Sequence, residues 1–268
     1  MTSSKRHLNV GQPKWDYNIQ CYKPNKDVFF ESGLFSILFL ACGRPDITRR
    51  CLLSTVDAVS RSTMEVEWIF VENGGSNENL SLFNEIPLDR KVIIRQDNYG
   101  INQGINQAWS ISRGEFCMIH ENDWEDRSPS FDFISTSKDI FDAHGDLGII
   151  QLRAIYDHNE NWGMHKEMYN PWSCNRDELT KIKIFTEETK SGHRYLISSG
   201  FYGFNNNPIL MRKTLYRQCG PYPEAQLGSD PRHGETFYQS EVLKTGCAIA
   251  HIGVELFYHC GQVTTKAN

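Results

Sequence analysis

No long hydrophobic run occurs in this chain. The longest apolar stretch, Phe35 to Cys42, is eight residues and already contains Ser36, far short of the roughly 20 that a membrane-crossing helix needs. The first twenty residues carry basic side chains but no apolar segment, so they do not read as a secretory signal, and an intracellular, cytoplasmic protein is expected. A charge excess is missing too. Against 33 Asp and Glu stand 28 Lys and Arg, a net charge of −5, which argues against general electrostatic capture of nucleic acid. Pairs such as Arg49-Arg50 and Arg212-Lys213 offer at most local basic patches, and otherwise read as solvated helix faces. No Cys-x-x-Cys pair is present. The eight cysteines are scattered at 21, 42, 51, 117, 174, 219, 247 and 260, which is not the pattern of a small disulfide-framed domain. Cys42, Cys51, Cys117 and Cys247 fall in apolar-patterned segments and are expected as buried free thiols. Repeats and low-complexity tracts are absent.

The chain has an ordinary globular composition, 268 residues with 39% hydrophobic and 23% charged, long enough for one α/β domain or two small ones without metal or disulfide staples. From Phe35 to Tyr156, short β-rich runs alternate with helix-period segments, the pattern of βα units feeding a mostly parallel sheet. Strands are expected at 35–42, 67–71, 91–95 and 116–120. A helix is expected over 46–62, with Leu52, Val56 and Val59 on one face, and another carries Ile101, Ile105, Ala108 and Trp109 and stops at Gly114. Beyond Asp157 the texture becomes aromatic and His-rich (Trp162, His165, Trp172, His193). Regular patterning then returns as helices near 213–219 and 233–245, and as short strands around Ile249 and Phe257. One α/β domain over 35–268 is expected, preceded by a polar arm of 34 residues that either lies over it or is partly disordered.

Ligands of open α/β sheets bind beyond the carboxyl ends of the strands, and those ends are chemically unusual here. The first strand leaves through Gly43-Arg44-Pro45, the second through Glu72-Asn73-Gly74-Gly75, the third through Asn98-Tyr99-Gly100 and the fourth through Glu121-Asn122-Asp123. Each cluster alone makes a turn or starts a helix. Together they gather carboxylates, a cation and tight backbone turns on one edge, which suits a nucleotide diphosphate held through a divalent metal. In an extended segment the side chains of Glu121 and Asp123 point to the same side. Two carboxylates so close repel unless a cation neutralises them, and Mg²⁺ sits on one or two carboxylates plus substrate phosphates.

The run from Asn98 to Asp123 (NYGINQGINQAWSISRGEFCMIHEND) resembles, without a gap, the stretch N-x-G-x-x-x-A-x-N-x-G-x-x-x-A-x-G-E-y-i-x-x-l-D-x-D of family 2-type glycosyltransferases of the GT-A fold. The resemblance implies a single Rossmann-like domain whose half over 35–156 holds a nucleotide sugar and whose half over 157–268 holds the acceptor. It places Glu121 and Asp123 on the metal-binding D-x-D carboxylates, with Glu replacing the first Asp. Gly43, Arg44, Pro45, Glu72, Asn73, Asn98, Gly100, Gly104, Glu121 and Asn122 then belong to the donor site, with Glu72 or Asn73 on the base. The segment 207–224 is similar to the family's acceptor side. Counting back from Gly246 places the family's catalytic base on Glu235, with Asp230 and Glu241 as fallbacks, although Gly234 replaces the first acid of the usual pair. His259, in a late strand, resembles the histidine that completes the metal site, and imidazole suits Mn²⁺ better than Mg²⁺.

The resemblance implies an inverting, Mn²⁺- or Mg²⁺-dependent transfer from a nucleotide sugar, with a UDP-sugar as the first expectation, to a hydroxyl on a glycan or other biomolecule. Trp162, Trp172, Phe201, Tyr202 and Asn205 are the candidate acceptor contacts. They are also compatible with a small core under a long loop. Two alternatives stay open: a non-catalytic module that binds a nucleotide sugar or glycan, and glycosylation of a modified nucleic acid base.

Overall fold

The computed structural model describes residues 5–7, 14–16, 29–152, 184–198, 206, 208–224, 232–252 and 256–260. Strands β1 (Lys5–His7) and β2 (Lys14–Asp16) pair as an antiparallel ribbon in the N-terminal arm. The candidate acceptor residues Trp162, Trp172, Phe201, Tyr202 and Asn205, and the fallback base Asp230, lie outside the described residues.

Strand β3 (Glu31–Ala41) is buried without interruption from Leu34 to Ala41, as a strand covered on both faces must be. Its odd residues Phe35, Ile37 and Phe39 enter one apolar cluster, with Leu52, Phe70 and Phe141. Its even residues Leu38 and Leu40 enter another, with Val71, Ile105 and Trp109, because successive side chains of a strand alternate faces. The strand begins four residues before the expected Phe35, and its register shifts between Glu31 and Phe35, where Gly33 takes φ 77°.

Helix α1 (Pro45–Ser60) has proline in its first turn, where the missing N–H costs nothing. It leads to β4 (Val66–Asn73), then α2 (Asn77–Glu85), β5 (Lys91–Gln96), α3 (Ile101–Ile111) and β6 (Gly114–Glu121). Helix α3 lies close on the sheet. A Cβ on Gly104 would stand 3.2 Å from Leu40 Cδ2 and 3.5 Å from Val71 Cγ1, so Gly104, expected at the donor site, is explained by helix–sheet packing. The buried Lys213 closes the far end of α3 by donating to Trp109 O, Ser112 O and Ser112 Oγ.

After β6 come β7 (Trp124–Asp126), α4 (Phe133–Ala143), β8 (Leu147–Gln151), β9 (Ile184–Glu188), β10 (Arg194–Ser198) and β11 (Ile209–Arg212). The described chain then continues through α5 (Lys213–Cys219), α6 (Arg232–Leu243), β12 (Ala248–Ile252) and β13 (Phe257–His259). The main sheet runs β5-β4-β3-β6-β11-β8-β12-β10-β9, with all strands but β11 and β10 pointing one way. The mostly parallel α/β sheet flanked by helices is as the sequence predicts. From β3 the chain steps outward through β4 and β5, then returns to place β6 on the other side of β3. The order therefore reverses between β3 and β6, and their carboxyl ends bound a crevice.

No helix among the described residues is long and apolar enough to cross a membrane.

Candidate functional site

Two consecutive residues in the left-handed region carry the chain out of β3: Gly43 at φ 58° and Arg44 at φ 51°. Among the described residues Arg44 is the only non-glycine with positive φ, a conformation that costs an L-residue roughly 1–2 kcal/mol. Its guanidinium crosses the crevice. Arg44 Nη2 donates to Asn122 Oδ1 at 2.9 Å and to Asp123 Oδ2 at 3.1 Å. Asn122 returns the tie by donating from Nδ2 to Thr48 Oγ1 at 2.7 Å. The side chain between the two expected metal carboxylates thus faces the β3–α1 turn and fixes Arg44.

Strand β6 stops at Glu121, and residues 122 and 123 form a turn before β7. The extended geometry expected to aim Glu121 and Asp123 to one side is broken there. Among the described residues no group of three His, Cys, Asp or Glu side chains gathers in a metal-holding arrangement, so the expected Glu121–Asp123–His259 set is not assembled. Asp123 and His259 do meet. Strand β13 pairs antiparallel with β7, placing His259 opposite Trp124, and His259 Nε2 lies 3.3 Å from Asp123 Oδ2. Cys260 N donates to Asp123 O at 2.8 Å, which pins the corner.

Burial alone would raise the Asp123 pKa. The His259 hydrogen bond and the Arg44 charge outweigh it and hold the carboxyl below its ordinary range. Asp123 Oδ1 is buried and has no hydrogen-bond partner among the described residues. A buried acceptor left unsatisfied is costly, and this one is an ionised oxygen at the mouth of the crevice. An orphaned carboxylate oxygen beside an imidazole is a donor set that accepts a divalent cation, Mn²⁺ more readily than Mg²⁺.

Around this pair the other predicted residues separate. Glu72 is fully buried: its Oε1 accepts from Ser76 N at 3.1 Å and its Oε2 from Asn79 Nδ2 at 2.7 Å. Since Asn79 Nδ2 also donates to Gly43 O at 2.9 Å, Glu72 shapes the loops, and its expected contact with a base is not available in this arrangement. Asn98 is exposed at the rim, and Asn73 is buried beside it. Gln96 Nε2 donates to Asn73 Oδ1 at 2.8 Å, Asn73 Nδ2 approaches Asn98 Oδ1 at 3.4 Å, and Gly100 N donates to Asn98 Oδ1 at 3.1 Å. Gly100, at φ 93°, caps α3. Cys42, expected in the core, is exposed because β3 ends one residue earlier, at Ala41. Cys51, Cys117 and Cys247 are buried thiols, as expected.

Glu235 lies in the first turn of α6, and its side chain is outside the described residues. The fallback Glu241 is buried further along that helix and accepts from Lys244 Nζ at 2.7 Å. Sequence reasoning missed Thr48, Asn79 and Gln96, since a single Thr, Asn or Gln in a helix or strand carries no local mark of a long-range partner.

His120, the last residue of the fourth expected strand, forms the floor under the site. Its ring stacks on Phe39 at 5.1 Å and meets Phe257 edge-on, Nε2 lies 3.0 Å from Thr55 Oγ1, and Nδ1 lies 2.7 Å from Glu121 O. Burial lowers its pKa to about 4, against smaller upward pulls from the Glu121 carbonyl and the Asp123 charge. The native ring is therefore neutral at pH values where an unfolded histidine takes a proton. Between pH 6.5 and 4 the unfolded chain binds more protons, so stability falls as pH falls through that window. Urea unfolding at pH 7 and pH 4.5 should differ by about 2–3 kcal/mol more in the native sequence than in His120→Asn. Equal pH dependence in the two would refute the assignment. The lowered pKa of Asp123 places its own loss below this window.

The fold and site together define an open-sheet α/β protein with acidic and basic side chains gathered at its strand-order reversal, where ligands of such sheets bind. No family model and no curated protein sequence matches the chain. Solved structures do share the fold. TarS 1–349 of S. aureus superposes with a TM-score of 0.54 at 12% identity, covering 84% of this chain and 60% of that one. The same TarS fragment in complex with UDP-GlcNAc gives 0.55 at 12% identity, covering 84% and 57%. The mannosyltransferase PcManGT from Pyrobaculum calidifontis, in complex with GDP-Man and Mn²⁺, gives 0.52 at 10% identity, covering 91% and 57%. This chain thus spans about 60% of the length of the TarS fragment it matches.

Proposed function

We propose that this protein is a glycosyltransferase that receives a nucleotide sugar in the β3/β6 crevice and passes the sugar to a hydroxyl acceptor. The single observation that carries the reading is the ionised, partly unsatisfied Asp123 carboxylate, set between Arg44 and His259 at the strand-order reversal. Two further facts support it: the likeness of residues 98–123 to the transferase pattern, and a fold shared with proteins crystallised with UDP-GlcNAc and with GDP-Man and Mn²⁺.

Asp123 and His259 are the residues that would hold a divalent cation. Such an ion supplies Lewis-acid neutralisation of the diphosphate leaving group, an effect worth several kcal/mol. Arg44 brings a second positive charge to the crevice and binds the diphosphate. The Asn73 and Asn98 amides read the base, with a UDP-sugar as the favoured donor. Glu235 accepts the acceptor's hydroxyl proton as its oxygen attacks the anomeric carbon from the face opposite the leaving group, which inverts configuration in one displacement. Residues 157–268, including Trp162, Trp172, Phe201, Tyr202 and Asn205, supply the acceptor side of one domain over 35–268.

A melting-temperature screen of UDP-, GDP- and TDP-sugars with Mn²⁺ tests this. A ligand at a hundred times its Kd adds about 2.7 kcal/mol, so one donor class should raise Tm by roughly 5–10 °C. No shift with any donor at millimolar concentration discards the reading. Glu121 in place of the first D-x-D acid and Gly234 in place of the first acid of the base pair support a second reading, a donor-binding module without turnover. Slow donor hydrolysis in Mn²⁺ separates the two, since only the transferase releases free sugar.

A further inference from the structure

Directly behind the Asp123–His259 contact, two thiols from opposite ends of the chain touch. Cys51 Sγ on α1 lies 3.3 Å from Cys260 Sγ, the residue that follows β13. Both are buried, and Cys260 keeps a sliver of surface. Cys260 is held in place twice by the site corner: its N–H and its Sγ both approach Asp123 O, at 2.8 Å and 3.1 Å. The half-exposed side chain of Arg50, the residue before Cys51 on α1, pairs with Glu125 at 3.5 Å. Neither the candidate reaction nor simple core filling requires two thiols 209 positions apart to meet sulfur to sulfur.

We propose that Cys51 and Cys260 are a redox modification site, closing to a disulfide that clamps β13, and with it His259, onto α1. A disulfide places its sulfurs about 2.05 Å apart, so the pair has little more than about 1 Å to close. With hydrogen peroxide as oxidant the steps balance. The Cys260 thiol gives an electron pair to one peroxide oxygen, the O–O bond breaks, and a sulfenic acid and one water result. Cys51 then attacks the sulfenic sulfur. The S–S bond forms, the S–O bond breaks and a second water leaves. Two thiols are oxidised and one peroxide is reduced. The proposal does not depend on the transferase reading, because it concerns the thiols themselves.

The test treats the folded full-length protein with hydrogen peroxide, blocks remaining thiols with N-ethylmaleimide, and maps non-reduced peptides by mass spectrometry. A Cys51–Cys260 cross-linked peptide lighter by two hydrogens is expected. It should vanish on dithiothreitol treatment and in Cys51→Ser and Cys260→Ser, and persist in Cys42→Ser, which removes the thiol that is exposed among the described residues. Because the clasp closes a very long loop, oxidised native protein should melt roughly 5–10 °C above its reduced form, a shift absent from both pair variants. Cross-links through Cys42 or Cys247 instead, or overoxidised Cys260 beside an alkylatable Cys51, would overturn the proposal. So would intact thiols at both positions under conditions that oxidise Cys42.

Discussion

Asp123→Ala is expected to lower donor turnover at least about 100-fold and to erase the Mn²⁺-dependent part of the donor's Tm shift. The carboxylate touches both Arg44 and His259, and removing it dissolves the charge arrangement that would steady the leaving diphosphate. Stabilisation of several kcal/mol is at stake, and each factor of ten in rate corresponds to about 1.36 kcal/mol. Glu235→Gln provides the contrast. It should keep the donor-induced Tm shift while lowering turnover by about 10²–10⁴, the usual contribution of a general base. Ordinary turnover in both variants, measured as nucleotide release, would end the assignment of both roles. Comparable Tm values of the unliganded variants establish that the fold has not been lost.

The largest stability loss is expected at the opposite end of the sheet, from Glu67→Ala. Glu67 is buried in β4, and its carboxylate accepts from Ser36 Oγ, from the backbone N–H groups of Arg113 and Gly114, and from Arg113 Nε at 3.1 Å. Arg113 is half exposed, so the ion pair itself adds little. The weight lies with the Ser36 hydroxyl and the Arg113 N–H, which alanine would leave without an acceptor, whereas Gly114 N keeps Ser36 Oγ at 2.8 Å. Each donor left without its acceptor costs about 1–3 kcal/mol, so the two together cost about 2–5 kcal/mol. Urea unfolding should show a loss of that size, with Glu67→Gln intermediate because its amide oxygen keeps part of the acceptor role. A loss below about 1 kcal/mol in the alanine variant would mean that water replaces the carboxylate.

Much of this fold can be read from periodicity. The strands beginning near 67, 91 and 116 and the helices over 45–60, 213–219 and 232–243 lie within a few residues of their expected bounds, because runs buried on both faces or along one stripe write themselves into composition. Helix α4 does not announce itself: Phe133, Ile134, Ile140 and Phe141 are buried, but the apolar residues are separated by Ser, Thr and Lys and lack a clear stop signal. The antiparallel course of β11 inside a mostly parallel sheet has no local signature either, since direction is decided by the partner strands.

The site is legible as a set of strand ends and illegible as a geometry. Arg44, Asn122 and Asp123 lie together where topology says they should. Glu72 turns inward because an amide on α2 offers it a hydrogen bond, and the turn at 122–123 ends the extended run on which the expected alignment of Glu121 with Asp123 rests. Both outcomes depend on residues far along the chain.

The β7–β13 ribbon has a consequence for biosynthesis. Asp123 meets His259 and Cys260 across about 137 positions of chain, so a ribosome adding roughly 5–20 residues per second exposes the carboxylate on the order of 10 s before its imidazole neighbour is made. In that interval the nascent sheet can assemble around β3 and β6, yet the acidic corner stands without its histidine. Completion of this corner is thus timed by the emergence of β13, which lets the sheet be inherited early while the corner is finished late.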